Sequence, residues 1–158
     1  MEVVIQIIID TREGKKTTTG ALTFNHPYVT GIIRQKLDVG DYRAKYSNGK
    51  ESVIVAERKS ITDLWGTLSN RKRYERFRAE IERATSQNIR LVLYIEGSYG
   101  KIKKGIKARF RSGDSIAKQI RTLYLKYGVE YHYCVDREQM ALQIADEFEY
   151  YGEKKLWV

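Results

Sequence analysis

The chain has 158 residues, of which 42% are hydrophobic and 31% are charged, and it contains one proline. A single hydrophobic core usually serves about 100–150 residues, so this length predicts one domain over residues 1–158. The composition excludes a disordered or low-complexity chain. The 29 Lys and Arg residues outnumber the 20 Asp and Glu residues, and the net charge of +9 favours a polyanionic partner, nucleic acid first.

Residue counts exclude several kinds of site and location. Cys134 is the single cysteine and cannot form an internal disulfide, and the two histidines, His26 and His132, cannot build a zinc finger. Chemistry must therefore rest on carboxylates, Lys, Arg or Tyr. The apolar segment Val3 to Ile9 is too short for a signal peptide, and no run approaches the roughly 18 apolar residues of a membrane helix. We expect a soluble cytoplasmic protein.

The first part of the chain has the pattern of strands. The apolar, β-branched run near the N-terminus is typical of a buried strand. Apolar residues with strand character follow from Tyr28 to Arg43, broken by Gly31 and Gly40. The turn signal Ser47-Asn48-Gly49-Lys50 predicts a hairpin that returns through Ser52 to Lys59.

The second part alternates helical and strand patterns. Leu91 to Ile95 and Val129 to Val135 predict strands, Gly97 to Gly113 predicts a glycine-rich basic loop, and Asp136 with Gln139 resembles a capping box. Apolar residues three and four apart predict four helices through Ile61, Leu64, Trp65 and Leu68; Tyr74, Phe77, Ile81 and Ala84; Ile116, Ile120, Leu123 and Tyr127; and Met140, Ile144 and Phe148. We expect an α/β fold with a mixed central sheet and helices on both faces.

A group of carboxylates and a lysine lies on the predicted hairpin. In a strand, Glu57 and Lys59 point to the same face, and Arg58 points the other way. The register that places Asp41 opposite Glu57 requires one residue more than a two-residue turn provides. We therefore expect the three-residue loop Asn48-Gly49-Lys50 with a left-handed glycine, or a bulge.

Two carboxylates about 4 Å apart repel by roughly 4 kcal/mol in a partly buried site. A shared proton, a salt bridge to Lys59 or a divalent ion could offset this repulsion. Oxygen-only ligation selects Mg²⁺ or Mn²⁺ over zinc, and such an ion can activate water towards a phosphorus centre. The alternative is a set of strand-end ion pairs with no catalytic role.

The motifs around this group resemble the nuclease motif of the XPF/Hef-type structure-specific endonucleases. They are Asp10-Thr11-Arg12-Glu13, Leu37-Asp38-Val39 before Gly40-Asp41, Glu57-Arg58-Lys59 followed by Asp63, Tyr74-Glu75-Arg76-Phe77, and Tyr94-Ile95-Glu96-Gly97-Ser98. The likeness covers nearly the whole chain, most strongly Ile8 to Gly97. It implies a restriction-endonuclease-like fold of the PD-(D/E)XK kind, with no helix-hairpin-helix or helicase module, as in compact phage and prokaryotic members.

The same resemblance implies a metal-dependent DNA endonuclease that cuts branched, flap or junction DNA in repair, recombination or replication. Asp41 and Glu57 would hold Mg²⁺ or Mn²⁺ with help from the Arg58 carbonyl, and Lys59 would orient the attacking water. Asp10 would support the metal site. The remaining motif residues, Arg12, Glu13, Arg58 and Asp63, would complete the polar network around it. Asp63 has a plainer alternative as a first-turn helix residue favoured by the helix dipole.

Basic residues are concentrated in two segments and depleted from the acidic stretch Glu130 to Glu153, so charge is segregated along the chain. The expected DNA-binding residues are Arg71, Lys72, Arg73, Arg76, Lys101, Lys103, Lys104, Lys107, Arg109 and Arg111, with Tyr99 as the best candidate for stacking on a base.

The resemblance also implies dimerisation through the nuclease domain, to which the C-terminal residues Leu142, Tyr150, Tyr151, Leu156 and Trp157 could contribute. Two other functions stay open: a catalytically inactive DNA-binding or scaffold module, and a sequence-specific restriction enzyme on the same fold. A virus-encoded origin fits the compact form.

Overall fold

The computed structural model describes residues 3–14, 20–104 and 113–158. The predicted DNA-binding residues Lys107, Arg109 and Arg111 lie outside the described residues. The elements are β1 (Ile5–Ile9), β2 (Val29–Arg34), β3 (Tyr42–Tyr46), β4 (Ile54–Ser60), α1 (Ile61–Ser69), α2 (Arg71–Ser86), β5 (Arg90–Glu96), α3 (Tyr99–Lys104), α4 (Gly113–Tyr127), β6 (Glu130–Cys134) and α5 (Arg137–Glu153).

The six strands form one mixed sheet in the order β2-β1-β3-β4-β5-β6. Strand β1 pairs in parallel with β2 and antiparallel with β3, and β3 is antiparallel to β4. The pairs β4–β5 and β5–β6 are parallel. Only β3 therefore runs against the others. Five strands end, and β3 begins, at the same edge of the sheet, which we call the carboxyl edge.

Helices cover both faces of this sheet, as expected. On one face, α1, α2 and α4 contribute Trp65, Phe77 and Ile120 to a core closed by Leu91 and Leu93 of β5. On the other face, α5 packs the apolar side chains of Met140, Ile144 and Phe148 against the central strands. The α/β fold with a mixed sheet is confirmed. Among the described helices, none is long and apolar enough to cross a bilayer.

The hairpin turn lies one residue earlier than predicted. The Tyr46 amide donates to the Lys50 carbonyl at 2.8 Å, so the loop consists of residues 47–49. Gly49 has φ +82°, the left-handed conformation that a three-residue loop requires of its last residue. The prediction of a three-residue loop with a left-handed glycine was right, and its placement was wrong.

An irregularity in the returning strand then restores the predicted register. The Ser52 amide donates to the Ala44 carbonyl at 2.9 Å, whereas Tyr42 pairs with Ala56, so the returning strand has gained two residues between these pairs. Extra residues of this kind re-aim the side chains that follow them. The start of β3 consequently lies beside Glu57, as the bulge alternative predicted.

Two other sequence predictions are corrected. Gly31 does not break the strand, because it lies within β2. The loop predicted for Gly97 to Gly113 contains the short helix α3, whose Ile102 is fully buried. A six-residue helix with one buried side chain is too short to show helical periodicity.

The helices α1 and α2 share a single junction residue. Asn70 ends α1, and its side chain accepts a hydrogen bond from the Arg73 amide to begin α2. Ser60, the last residue of β4, caps α1 in the same way by accepting from the Asp63 amide. The chain therefore runs from β4 through α1 into α2 without a flexible linker.

We predict that Phe148→Ala lowers the free energy of unfolding by about 3–5 kcal/mol, because it removes a fully buried ring from the core under α5. Leu142→Ala, on an exposed position of the same helix, should change stability by about 0.5 kcal/mol at most. Urea unfolding of both variants measures the difference, and equal midpoints would contradict the packing described here.

Candidate active site

All eight candidate catalytic residues line one cavity at the carboxyl edge of the sheet. This happens because β1, β4 and the start of β3 meet there, and α1 begins there. The cavity is lined by Asp10, Arg12, Glu13, Asp41, Glu57, Arg58, Lys59 and Asp63, together with Gly14, Gly40, Arg73 and Glu80.

The backbone fixes Asp41 from two sides. Its amide donates to the Ala56 carbonyl of β4 at 2.8 Å, and its carbonyl accepts from the Asp10 amide at 2.9 Å. Its side chain continues the pairing, since Oδ2 accepts from the Arg58 amide at 2.7 Å. One carboxylate oxygen of Asp41 is thus hydrogen-bonded to the backbone of β4, and Asp41 also lines the cavity.

Glu57 and Lys59 lie on the same face of β4, as their spacing predicts. The Lys59 Nζ lies 3.8 Å from Glu57 Oε1, at the long end of ion-pair distances. The Lys59 ammonium also lies 5.8 Å from the centre of the Phe77 ring on α2, close enough for a cation–π contact. Both charged groups are therefore held between β4 and α2.

Burial and the crowding of negative charge raise the pKa values of both Asp41 and Glu57. Burial raises the pKa of Asp41 well above its ordinary value, and the charges of Glu57 and Glu13 raise it further. Burial also raises the pKa of Glu57, the charge of Glu80 raises it further, and Lys59 offsets part of that rise. Lys59 alone does not neutralise these carboxylates, so an added cation or proton would stabilise the cluster that they form.

The donor set fits a hard divalent cation. Asp41 and Glu57 present carboxylate oxygens only, which is the chemistry that Mg²⁺ and Mn²⁺ prefer. In the part of the chain that the structure describes, no three His, Cys, Asp or Glu side chains are grouped as a complete metal site. Two carboxylates with backbone oxygens or water would suffice for Mg²⁺, which usually keeps several waters.

Both carboxylate oxygens of Asp10 accept hydrogen bonds from neighbouring residues. Its Oδ1 accepts from the Leu37 amide at 2.7 Å, and its Oδ2 accepts from Arg12 Nε at 2.9 Å. Burial alone would raise the pKa of Asp10, but the hydrogen bonds from Arg12 and Leu37 outweigh it and lower the pKa. The geometry favours the supporting role predicted for Asp10 over that of a free metal ligand.

Arg58 points away from Glu57 and Lys59 and joins two other carboxylates. Its Nη2 lies 2.7 Å from Glu13 Oε1, in a pair whose side chains are both less than a tenth exposed, and its Nη1 lies 3.4 Å from Glu96 Oε2. Arg58 thereby ties the end of β5 to the segment after β1. The Glu13 carboxylate is occupied by this pair.

Asp63 lies on the cavity wall in the first turn of α1. Its amide donates to the Ser60 hydroxyl at 3.1 Å, and its carbonyl accepts from Arg73 Nη2 at 3.4 Å. Its place in the first helical turn also satisfies the plainer, dipole-based interpretation, so both roles remain compatible with the structure.

Helix α2 supplies Glu80 and Arg83, which the sequence analysis did not assign to a site, together with the predicted DNA-binding residues Arg73 and Arg76. Glu80 and Arg73 line the cavity, and a second groove beside it is shared with Glu57 and Lys59. That groove is lined by Arg12, Glu57, Lys59, Thr67, Arg73, Arg76, Phe77, Glu80 and Arg83. The spacing of Arg73, Arg76, Glu80 and Arg83 around buried Phe77 is helical, so this face of α2 could have been found from sequence.

The other described DNA-binding candidates lie at the surface. Arg71 and Lys72 are exposed on α2, and Lys101, Lys103 and Lys104 are exposed on α3, which follows β5 at the carboxyl edge. Tyr99 is about half exposed, its ring contacts the edge of Tyr133 at 5.8 Å, and Lys103 Nζ lies 6.0 Å from its centre. Stacking of a base on Tyr99 stays a prediction.

The five C-terminal residues proposed to contribute to dimerisation differ in burial. Trp157 packs on the Tyr46 ring at 5.5 Å, and Tyr151 packs against the same core. Leu142, Tyr150 and Leu156 are exposed. Dimerisation through this end of the chain stays a prediction.

The architecture and the site together define a restriction-endonuclease-like nuclease domain. Residues 9–146 match the family model described as the ERCC4 domain, and the chain belongs to that family. A search of the curated proteins found no match to the sequence.

Two solved structures are similar in fold. XPF from Aeropyrum pernix matches with a TM-score of 0.61 and 20% identity over 92% of this chain and 64% of that chain. The same protein in complex with DNA matches with a TM-score of 0.61 and 19% identity over 95% of this chain and 66% of that chain. This chain thus spans slightly less than two thirds of the length of each of these two chains.

We predict that Arg58→Met lowers the free energy of unfolding by about 3–5 kcal/mol at neutral pH, because it leaves the Glu13 carboxylate buried without its partner. Chemical denaturation provides the measurement. Adding Glu13→Gln to Arg58→Met should restore part of the loss. Arg90→Met, at an exposed arginine that begins β5, is the control and should be close to neutral.

Proposed function

We propose that this chain is a metal-dependent endodeoxyribonuclease that hydrolyses phosphodiester bonds near a branch, flap or junction in DNA. One observation carries the proposal: Asp41, Glu57 and Lys59 line a single cavity, beside a groove bordered by four arginines. Carboxylates for a cation, a lysine for water and arginines for phosphates are the parts that phosphoryl transfer by hydrolysis needs.

Asp41 and Glu57 would hold the ion, with the Arg58 carbonyl as a further oxygen. Burial and, after it, the neighbouring negative charges raise the pKa of both carboxyl groups, and this concentration of negative charge supports cation binding at this position. When bound, Mg²⁺ or Mn²⁺ would supply Lewis-acid activation of the phosphodiester and of the attacking water.

The protein residues would bind and orient the reactants. Lys59 is held near Glu57 and the Phe77 ring, where its ammonium can orient water and offset charge that develops on the phosphate. Arg12 donates through Nε to Asp10 and through Nη2 to the Leu37 carbonyl, and its side chain, which is 65% exposed, would contact a phosphate from the solvent side. Glu13 and Asp63 would hold the surrounding network in place.

The groove along α2 would bind the DNA backbone next to the cleaved bond. Arg73, Arg76 and Arg83 face it, and each phosphate contact releases counterions. The DNA complex of the Aeropyrum pernix relative supports nucleic acid as the partner. A preference for branched over linear DNA is an inference from family membership and is tested directly by offering each DNA form.

We predict that Asp41→Asn, Glu57→Gln and Lys59→Met each reduce cleavage by at least about 100-fold, the low end of the cost of losing one electrostatic or acid–base group. The measurement uses flap, fork, four-way-junction, duplex and single-stranded DNA with Mg²⁺ or Mn²⁺, and binding is followed in Ca²⁺. DNA affinity should persist.

Glu51→Gln is the matched control, since Glu51 lies on the same hairpin, pairs with Arg43 and does not line the cavity. Its cleavage rate should equal that of the unchanged protein. Cleavage by Glu57→Gln at the unchanged rate would refute the proposed site. Ion-independent DNA binding without cleavage of any DNA would favour the inactive module instead, and discrete plasmid fragments would favour a restriction enzyme.

We predict that Arg76→Ala weakens DNA binding to a similar extent for all sequences and lowers the slope of log affinity against log salt by about one, as expected for one lost phosphate contact. Arg78→Ala is the control on the same helix, because Arg78 pairs with Glu75 and Glu82 and lies over the Tyr127 ring. Fluorescence anisotropy over a salt series measures both slopes, and equal slopes would argue against the groove.

A further inference from the structure

Residues 37–40, the loop that leads into β3, are held between β1 and α2. On the β1 side, the Leu37 amide donates to Asp10 Oδ1 at 2.7 Å. On the α2 side, Gln87 Nε2 donates to Asp38 Oδ2 at 2.6 Å, and the Gly40 amide donates to Glu80 Oε2 at 3.1 Å. Helix α2 and its C-cap residue Gln87 therefore hold this loop at two points, and the point held by the helix lies directly before Asp41.

The Gly40 amide needs an acceptor from outside the sheet. Gly40 is buried and has φ +76°, and a Cβ at this position would lie 3.0 Å from the Val55 Cβ. The chain turns here, so pairing with β4 begins only at the next residue, where the Asp41 amide donates to Ala56. A buried amide without an acceptor is costly, and Glu80 provides the acceptor.

The Glu80 carboxylate is itself placed by a rigid element. Phe77, Ile81 and Ala84 of α2 are buried in the core, which fixes the rotation of the helix about its axis. Glu80 lies on the neighbouring face, where it lines the cavity with Asp41 and Glu57. Its position therefore depends on the packing of α2 and not on a mobile loop.

We propose that Glu80 is a positioning residue: by accepting the Gly40 hydrogen bond, it fixes the backbone that presents the Asp41 carboxylate to the cation. The inference rests on the proposed function and adds a residue to it. Glu80 also lines the groove with Arg73, Arg76 and Arg83, so the helix proposed to bind the DNA backbone is the one that aligns Asp41.

The contacts favour this role over direct ligation. Glu80 Oε2 is already used by Gly40. Within the described ranges, Glu80, Asp41 and Glu57 do not form a three-carboxylate metal group. A residue that acts through Asp41 should keep its effect when its charge is removed but its acceptor oxygen is retained.

The experiment compares Glu80→Ala with Glu80→Gln, whose amide oxygen can still accept from Gly40. Three quantities are measured: hydrogen exchange of the Gly40 amide by NMR, the affinity for Mn²⁺ by calorimetry, and the single-turnover cleavage rate at saturating flap DNA. Glu82→Ala is the matched control on the same helix, since Glu82 is exposed and its ion pair with Arg78 is long, at 3.9 Å.

Glu80→Ala should accelerate Gly40 exchange and reduce Mn²⁺ affinity and cleavage by about 10–100-fold, the usual cost of losing a group that orients a metal ligand. Glu80→Gln should preserve Gly40 protection and recover most of the affinity and rate. Glu82→Ala should match the unchanged protein in all three. Equal losses in Glu80→Gln and Glu80→Ala would overturn the inference in favour of a role for the charge, and an unchanged Glu80→Ala would overturn it outright.

The three readouts separate this inference from the proposed function. If the unchanged protein cleaved none of the DNA forms, the nuclease proposal would fail, while Gly40 exchange and Mn²⁺ affinity would still decide whether Glu80 positions Asp41. If the unchanged protein cleaved DNA and Glu80→Ala left Gly40 protected, only the role of Glu80 would be refuted.

Discussion

The site depends on one hydrogen bond between a side chain and a strand: Asp41 Oδ2 accepts from the Arg58 amide at 2.7 Å. Where β3 begins, this carboxylate takes the place of the next backbone acceptor and brings its charge beside Glu57. Burial raises the pKa of Asp41, repulsion from Glu57 raises it further, and the sheet holds the two carboxyl groups together despite this repulsion. Folding energy is thereby used to assemble negative charge at a point where a cation would relieve it.

Around this pair, buried ion pairs connect segments that are distant in sequence. Arg58 joins Glu13 after β1 to Glu96 at the end of β5, and Asp10 holds both Arg12 and the loop before β3. Arg58 and Glu96 lie on β4 and β5, so the sheet restricts how far this network can rearrange. Its role is to orient neighbouring groups, which leaves Asp41, Glu57 and Lys59 as the charged groups nearest the proposed chemistry.

Sequence patterns predicted most of the elements because these depend on local periodicity, whereas most candidate site residues came from the family resemblance. The two-residue spacing of Glu57 and Lys59 places them on one face in any strand. The turn signal around Gly49 predicts the three-residue loop, whereas the register at Ala56 also depends on the irregularity that follows Ser52. The short helix α3 and the contact from Glu80 to Gly40 could not be predicted in this way. Helix α3 has one buried residue, and the Glu80 contact depends on how α2 packs across the sheet, which a pattern along the chain does not encode.

The single-residue junction at Asn70 fixes how α2, which carries the arginines and Glu80, is rotated relative to β4, which carries Glu57 and Lys59. Each residue inserted into or deleted from this region would rotate the following helix by about 100° relative to β4. The arginines and Glu80 would then face the core or solvent, while Phe77 would leave its place beneath Lys59. A change of chain length within α1 or the first turns of α2 would therefore misalign the groove with β4, whereas a substitution on the exposed face of α2 would leave this alignment intact.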